Sequence, residues 1–139
     1  MDKKQKSTRV LPPDVADAVA APERLAVLHG LEMLDTRGDA DFDRISGLAA
    51  AIMAAPVALI TLVDTERQWF KSRRGIEETE TPTDISFCAH AIAAGDDPMV
   101  VTDATADPRF RANPLVTGDH HVRFYAGVPI SVASARIGT

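Results

Sequence analysis

The order of apolar patterns along the chain predicts an α+β domain, an antiparallel sheet with helices on its faces. Three observations carry that expectation. Leu25, Leu28, Leu31 and Leu34 recur at a spacing of three, which marks one apolar helical face. The run "VALITLVD", Val57 to Asp64, is almost wholly apolar and rich in β-branched residues, as a strand covered on both faces requires. A short polar turn, Asp64–Arg67, then leads into "QWFKSRRG", so the second strand returns beside the first as a hairpin. With the segments that follow, the order reads α-α-β-β-α-β-α-β-β.

Residues 1–21 are Lys-rich and then rich in Pro, Ala and Asp. Pro12–Pro13 argues against a helix there, and the segment is expected to be a flexible leader with at most a weak turn near Val15–Ala20. Pro22 suits a first helical position, and the leucine-bearing helix runs from it to a break at Thr36–Gly38. Asp39 or Asp41 caps a second helix, whose buried stripe is expected to be Phe42, Ile45, Leu48, Ala49, Ile52 and Met53. Pro56 closes it before the first strand. On the hairpin strand Trp69 and Phe70 point in opposite directions, one inward and one exposed at an edge. Gly75 to Asp84 reads as a polar loop. Ser86 caps the short helix "FCAHAIAAG", which Gly95 ends. "PMVVTD" is the third strand and "DPRFRANPL" a helical turn broken at Asn113–Pro114. "HVRFYAGVPI" is the fourth strand, and "ARIGT" begins a fifth.

The 139 residues suffice for one domain with a real core, here residues 22–139. Hydrophobic residues make up 45 % and charged residues 25 %, the balance of a globular protein. A net charge of −5 argues against a nucleic-acid partner, which needs a basic face to replace phosphate counterions. Lys3–Lys6 and Arg73–Arg74 are short basic patches only. No apolar run is a membrane span, because the longest splits at Pro56 into a helix end and a strand. No signal peptide is visible, and one cysteine forms no disulfide within the chain; a cytoplasmic location is the economical reading.

Five segments, "ERLAVLHGLEMLDT", "LITLVDTERQWFKSRRG", "SFCAHAI", "VVTDATADPRFRANPLVTG" and "VRFYAGVPI", resemble in order and spacing the GAF domain found at the N-terminus of bacterial sensor histidine kinases and diguanylate cyclases. The resemblance covers Glu23 to Thr139. It implies a PAS-like sensory fold without catalytic activity of its own. It also implies a cytoplasmic role in signal transduction, for example in a two-component system, in which a small-molecule ligand or homodimer formation controls an output domain. No particular ligand or cofactor follows. Relatives continue past "RIGT" with a further apolar strand segment and a helix toward the output domain, and the family's last strand lies beside the first, here Val57–Val63. The chain is therefore expected to end as a central strand begins, and so to be a fragment, a shortened chain, or one that completes its sheet with a partner. Leaving such a strand unpaired costs about 1–3 kcal/mol for each unsatisfied buried group.

The resemblance also implies a ligand pocket between sheet and helices near Cys88 and Phe110. Its candidate lining is Phe87, Cys88, His90, Asp103, Phe110, Arg123 and Tyr125. Cys88 and His90 invite a chemical reading. Two residues on a helix are separated by about 200° of rotation, however, so the pair points to different faces and makes a poor nucleophile–base couple. A metal site needs three or four ligands, and His120 and His121 match no standard spacing. Reduction of methionine sulfoxide, known among GAF proteins, needs a resolving cysteine that is absent here. Bilin-binding members usually have the cysteine and histidine adjacent, and the cyclic-nucleotide signature of phosphodiesterase members is missing. Cys88 is read as a small buried apolar residue, with redox sensing as the lesser alternative. Arg109 and Arg111 flank Phe110 as a solvated face or an anion clamp. In the fourth strand Val122 and Phe124 are the expected core pair, and Arg123 and Tyr125 look to the pocket edge or a dimer face.

Overall fold

A computed structural model describes residues 11–139. The elements are α1 (Pro13–Ala20), α2 (Pro22–Gly30), α3 (Ala40–Met53), β1 (Ala58–Val63), β2 (Arg67–Arg74), β3 (Glu80–Pro82), a 3₁₀ turn (Thr83–Ile85), α4 (Phe87–Ala94), β4 (Met99–Val101), α5 (Pro114–Thr117), β5 (Tyr125–Gly127), β6 (Ile130–Val132) and β7 (Ala135–Gly138). Five strands form one antiparallel sheet in the order β3-β2-β1-β7-β6, and β4 and β5 pair separately. The α+β class with an antiparallel sheet is the observed one.

Adjacent residues of β1 show how helices cover both faces. Leu62 packs with Leu28 of α2, Trp69 and Ile137. Val63 packs with Val15 and Val19 of α1 and with Cys88, Ala89 and Ile92 of α4. Neighbours on a strand point to opposite sides, so α2 lies on one face and α1 with α4 on the other. Arg24 ties these layers together. It is buried, its Nε and Nη2 donate to the Val19 carbonyl at 3.0 and 2.8 Å, and Nη1 donates to the Arg136 carbonyl at 3.4 Å. Beside β1, β7 approaches closely: Leu62 pairs with Gly138, and the Thr61 amide donates to the Thr139 carbonyl at 2.8 Å. A Cβ at position 138 would collide with the Thr61 carbonyl, so this approach requires glycine.

Several expectations are corrected. Residues 1–10 of the expected leader lie outside the described residues. Residues 13–20 are a helix, because Pro13 occupies the first helical position, where its missing N–H leaves no bond unmade. The helix α2 stops at Gly30, and Glu32 and Asp35 turn with φ of 52° and 62°. Leu31 and Leu34 still reach the core from that turn. The loop read into Gly75–Asp84 contains β3, which pairs with β2 from Arg67 to Trp69. That added edge, with the Phe70 amide donating to the Thr79 carbonyl, leaves both Trp69 and Phe70 buried. The expected fourth strand is two strands, β5 and β6, in different sheets. His121 has a positive φ and residues 121–124 are not extended in a sheet, so the two-residue alternation fails and Phe124 is 50 % exposed. The β6–β7 hairpin turns through Ala133 and Ser134, both at positive φ, with none of the glycine or asparagine that usually signals such a turn.

The largest correction concerns α3. Ile45, Leu48, Ile52 and Met53 are 59, 61, 72 and 55 % exposed. The helix meets β1 and β2 through its small and polar side instead. Buried Ser46 shares a hydrogen bond with Ser72 at 2.7 Å, and Ser72 donates to Asp43 at 2.6 Å. That network fixes the rotation of α3 and turns the aliphatic stripe outward.

Candidate functional site

The sequence-marked site is built around the start of α4. Ser86 caps the helix by accepting from the Ala89 amide at 3.0 Å, and its hydroxyl donates to Gln68 on β2, which anchors the first turn to the sheet. Phe87 then points into a cluster with Met99, Val101, Phe110 and Val116, while Cys88 points toward Val63, Val15 and Val19. His90 stands edge-on to Phe110, with ring centroids 4.8 Å apart. Cys88 and His90 thus face apart, as helical geometry requires.

Phe110 is held by its own segment. Asp107 accepts from the Arg109 amide at 2.9 Å and from its guanidinium at 3.0 and 2.7 Å, and its backbone carbonyl accepts from Phe110 and Arg111. Asn113 caps α5 and donates to the Ile85 carbonyl at 3.0 Å, which locks this segment to the turn before α4. The Arg109 guanidinium lies over the Phe110 ring at 5.0 Å. Arg109 is therefore committed to Asp107 and Phe110, and its bond holds the Asp107 carboxyl below the usual carboxylate range.

Tyr125 closes the site from β5. Its ring lies 5.1 Å from Phe87, and Phe87 stacks on Phe110 at 4.1 Å. The Tyr125 hydroxyl donates to Cys88 Sγ at 3.3 Å, and the Thr139 hydroxyl donates to the same sulfur at 2.8 Å. Burial first, and the sulfur beside it second, push the Tyr125 phenol far up, so it stays protonated. A Cβ on residue 127 would collide with this hydroxyl; Gly127 makes room for it. Burial, followed by the charge of Arg109, lowers the pKa of His90, while Asp14 and Asp107 act weakly the other way.

Phe87, Cys88, His90, Phe110 and Tyr125 therefore come together, with the Phe87 ring in contact with both Phe110 and Tyr125. Asp103 and Arg123 stand apart from them. Asp103 is exposed and bonds Thr105, which keeps its carboxyl below the usual range. Arg123 is exposed and donates to the carbonyls of Val116 and Val122. Among the described residues no three His, Cys, Asp or Glu side chains gather as a metal site, and no helix is long and apolar enough to cross a membrane.

Open space is found on the other side of the sheet. A cleft of about 560 Å³ is lined by Asp35, Thr36, Gly38 and Asp43 from the α2–α3 connection and α3, by Trp69 through Arg73 on β2, and by Thr79. Lys71 is buried in it, donating to Thr36 Oγ1 at 2.9 Å and to the Arg37 carbonyl at 2.7 Å. Sequence reasoning missed this cleft, because a lysine in "QWFKSRRG" carries the same signal as any solvated strand charge.

Comparison with known proteins matches residues 18–139 to the GAF domain, and the chain belongs to that family. It is 43 % identical over 110 residues to a cyclic di-GMP phosphodiesterase of Pseudomonas aeruginosa. The match covers 79 % of this chain and 19 % of that relative's length, so the chain spans about a fifth of the curated relative.

Proposed function

From its membership in the GAF family, we propose that the chain is a sensory or regulatory module of a cytoplasmic signalling protein that works by pairing with a second copy of itself. The output domain it controls is of the histidine kinase or diguanylate cyclase kind, or a cyclic di-GMP phosphodiesterase as in its relative. The observation that carries the reading is the bare face of α3. Ile45, Leu48 and Ile52 follow at steps of three and four, the spacing of a coiled-coil seam, and all are more than half exposed. A seam of this kind is matched by an identical seam across a two-fold axis. Burying each such side chain contributes about 1.5–3 kcal/mol. Analytical ultracentrifugation tests the proposal. The native chain is expected to sediment as a dimer and Leu48→Asp as a folded monomer with an unchanged far-ultraviolet circular dichroism spectrum. A native chain that stays monomeric at every concentration removes the reading.

One observation favours a second reading. His90 is half-buried at the rim of the aromatic cluster, beside Phe110. A small molecule held by Phe87, Cys88, His90, Phe110 and Tyr125 would have to displace Tyr125 or Phe110 from ring contact. Native mass spectrometry of the purified chain tests it. A retained small molecule, lost in Phe110→Leu, supports the reading, and a bare mass removes it.

A further inference from the structure

The cleft beneath α3 holds a buried lysine that has no anionic partner among the described residues. On β2 the register against β1 slips between Ile60 and Thr61: Ile60 faces Ser72 and Thr61 faces Phe70, so Lys71 is the extra residue of a bulge. Bulges re-aim the side chain they carry. Here the stem of Lys71 is buried and its ammonium reaches the α2–α3 connection. Both acceptors there, Thr36 Oγ1 and the Arg37 carbonyl, are neutral. An ammonium has three N–H donors, and among the described residues the third finds no acceptor.

A buried charge is costly unless paired, and the ring of Phe42, 5.6 Å from Nζ, offsets only part of that cost. The neighbouring carboxylates are engaged elsewhere. Asp35 takes a two-pronged bond from Arg67, at 2.7 Å on each oxygen, and its charge is cancelled there. Asp43 accepts from Ser72. The charged residues in the walls are then Lys71 and Arg73 against Asp43, once Asp35 is counted with Arg67. A cleft of about 560 Å³ is of the size that holds small-molecule ligands.

We propose that this cleft binds a small anionic molecule, with a carboxylate or phosphate oxygen accepting the third N–H of Lys71. The site is separate from the aromatic cluster around Phe110 and does not depend on the pairing of α3. If Lys71 serves only to pin the α2–α3 connection, no anion is needed, and the experiment separates the two roles. Amide NMR spectra of the whole chain are followed during titration with sodium phosphate and, separately, sodium acetate, each against sodium chloride at equal ionic strength. Saturable shifts at Thr36, Arg37, Gly38 and Ser72 are expected with one or both oxyanions and not with chloride. Phosphate alone points to a phosphorylated ligand, and acetate to a carboxylate. Loss of one charged hydrogen bond weakens the affinity about tenfold or more in Lys71→Gln, whereas Lys71→Arg keeps most of it. Shifts that merely follow ionic strength, shifts centred elsewhere, or equal binding by a folded Lys71→Gln variant overturn the proposal. The titration of the native chain decides the matter even if Lys71→Gln does not fold.

Discussion

Around α4, Phe87 stacks on Phe110, Tyr125 tilts against Phe87, His90 meets Phe110 edge-on, and both sides of Cys88 are occupied. Around α3, four large aliphatic side chains face outward while serines and a lysine face the sheet. Both helices are rich in apolar residues, and only one buries them. The difference lies in what each helix meets. Flat rings and a small sulfur fit together without leaving polar groups unmatched. By contrast, Ser72, Asp43 and Lys71 on or near β2 demand hydrogen-bond partners, and α3 turns its polar side toward them. Here, satisfying buried polar atoms outweighs burying aliphatic ones.

That contrast can be tested by removing one side chain at a time. The largest effect is expected from Phe110→Ala, which deletes a fully buried ring in the stacked cluster; chemical denaturation should show a loss of about 3–5 kcal/mol. A loss below about 1 kcal/mol would mean that this side is no better packed than the other. Next is Cys88→Ala, which leaves the hydroxyls of Tyr125 and Thr139 without their shared acceptor and should cost about 1–3 kcal/mol in the same assay. A redox role predicts the contrary, a thiol that reacts readily in the native chain, and thiol titration before and after unfolding distinguishes the two.

The third effect is a pH dependence. Burial and Arg109 lower the folded-state pKa of His90 from its ordinary 6.5. Below 6.5 the unfolded chain therefore takes up this proton before the folded chain does. Stability from this group is present above 6.5 and is lost as pH falls through the folded pKa. Thermal melts of the native chain and of His90→Gln across this range should converge toward acid, with the variant the flatter of the two. Parallel curves would indicate that His90 is freely solvated. The smallest effect on stability belongs to the bare face: at a concentration where the chain is monomeric, Leu48→Ser should change the unfolding free energy by less than about 0.5 kcal/mol. A larger change in a chain shown to be monomeric would mean that α3 packs more deeply than its exposure indicates.

The elements that were legible are those with local causes. The caps by Asp39 and Ser86, the glycine stop at Gly95 and the apolar strand Ala58–Val63 follow from side-chain chemistry within a few residues. The opposed directions of Cys88 and His90 follow from helical geometry alone. Three features were not legible. The strand β3 is a three-residue edge with no pattern of its own, and it exists because β2 offers an unpaired flank. The reversal at Ala133–Ser134 uses residues that normally avoid positive φ, so no turn signal marks it. The cleft around Lys71 has no marker in the sequence, because it forms between β2 and the distant α2–α3 connection.

The sequence by itself determined the α+β class, the family and the starts of α2, α3 and α4. These depend on periodicity and on short-range hydrogen bonding, which the order of residues carries directly. Only the tertiary structure decided which face of α3 is buried, which residues surround Lys71, and how the rings of Phe87, Phe110 and Tyr125 meet. Those outcomes depend on partners far apart in the chain, Ser46 with Ser72, Lys71 with Thr36 and Tyr125 with Cys88, and a helix records no trace of the polar atoms it will later have to satisfy.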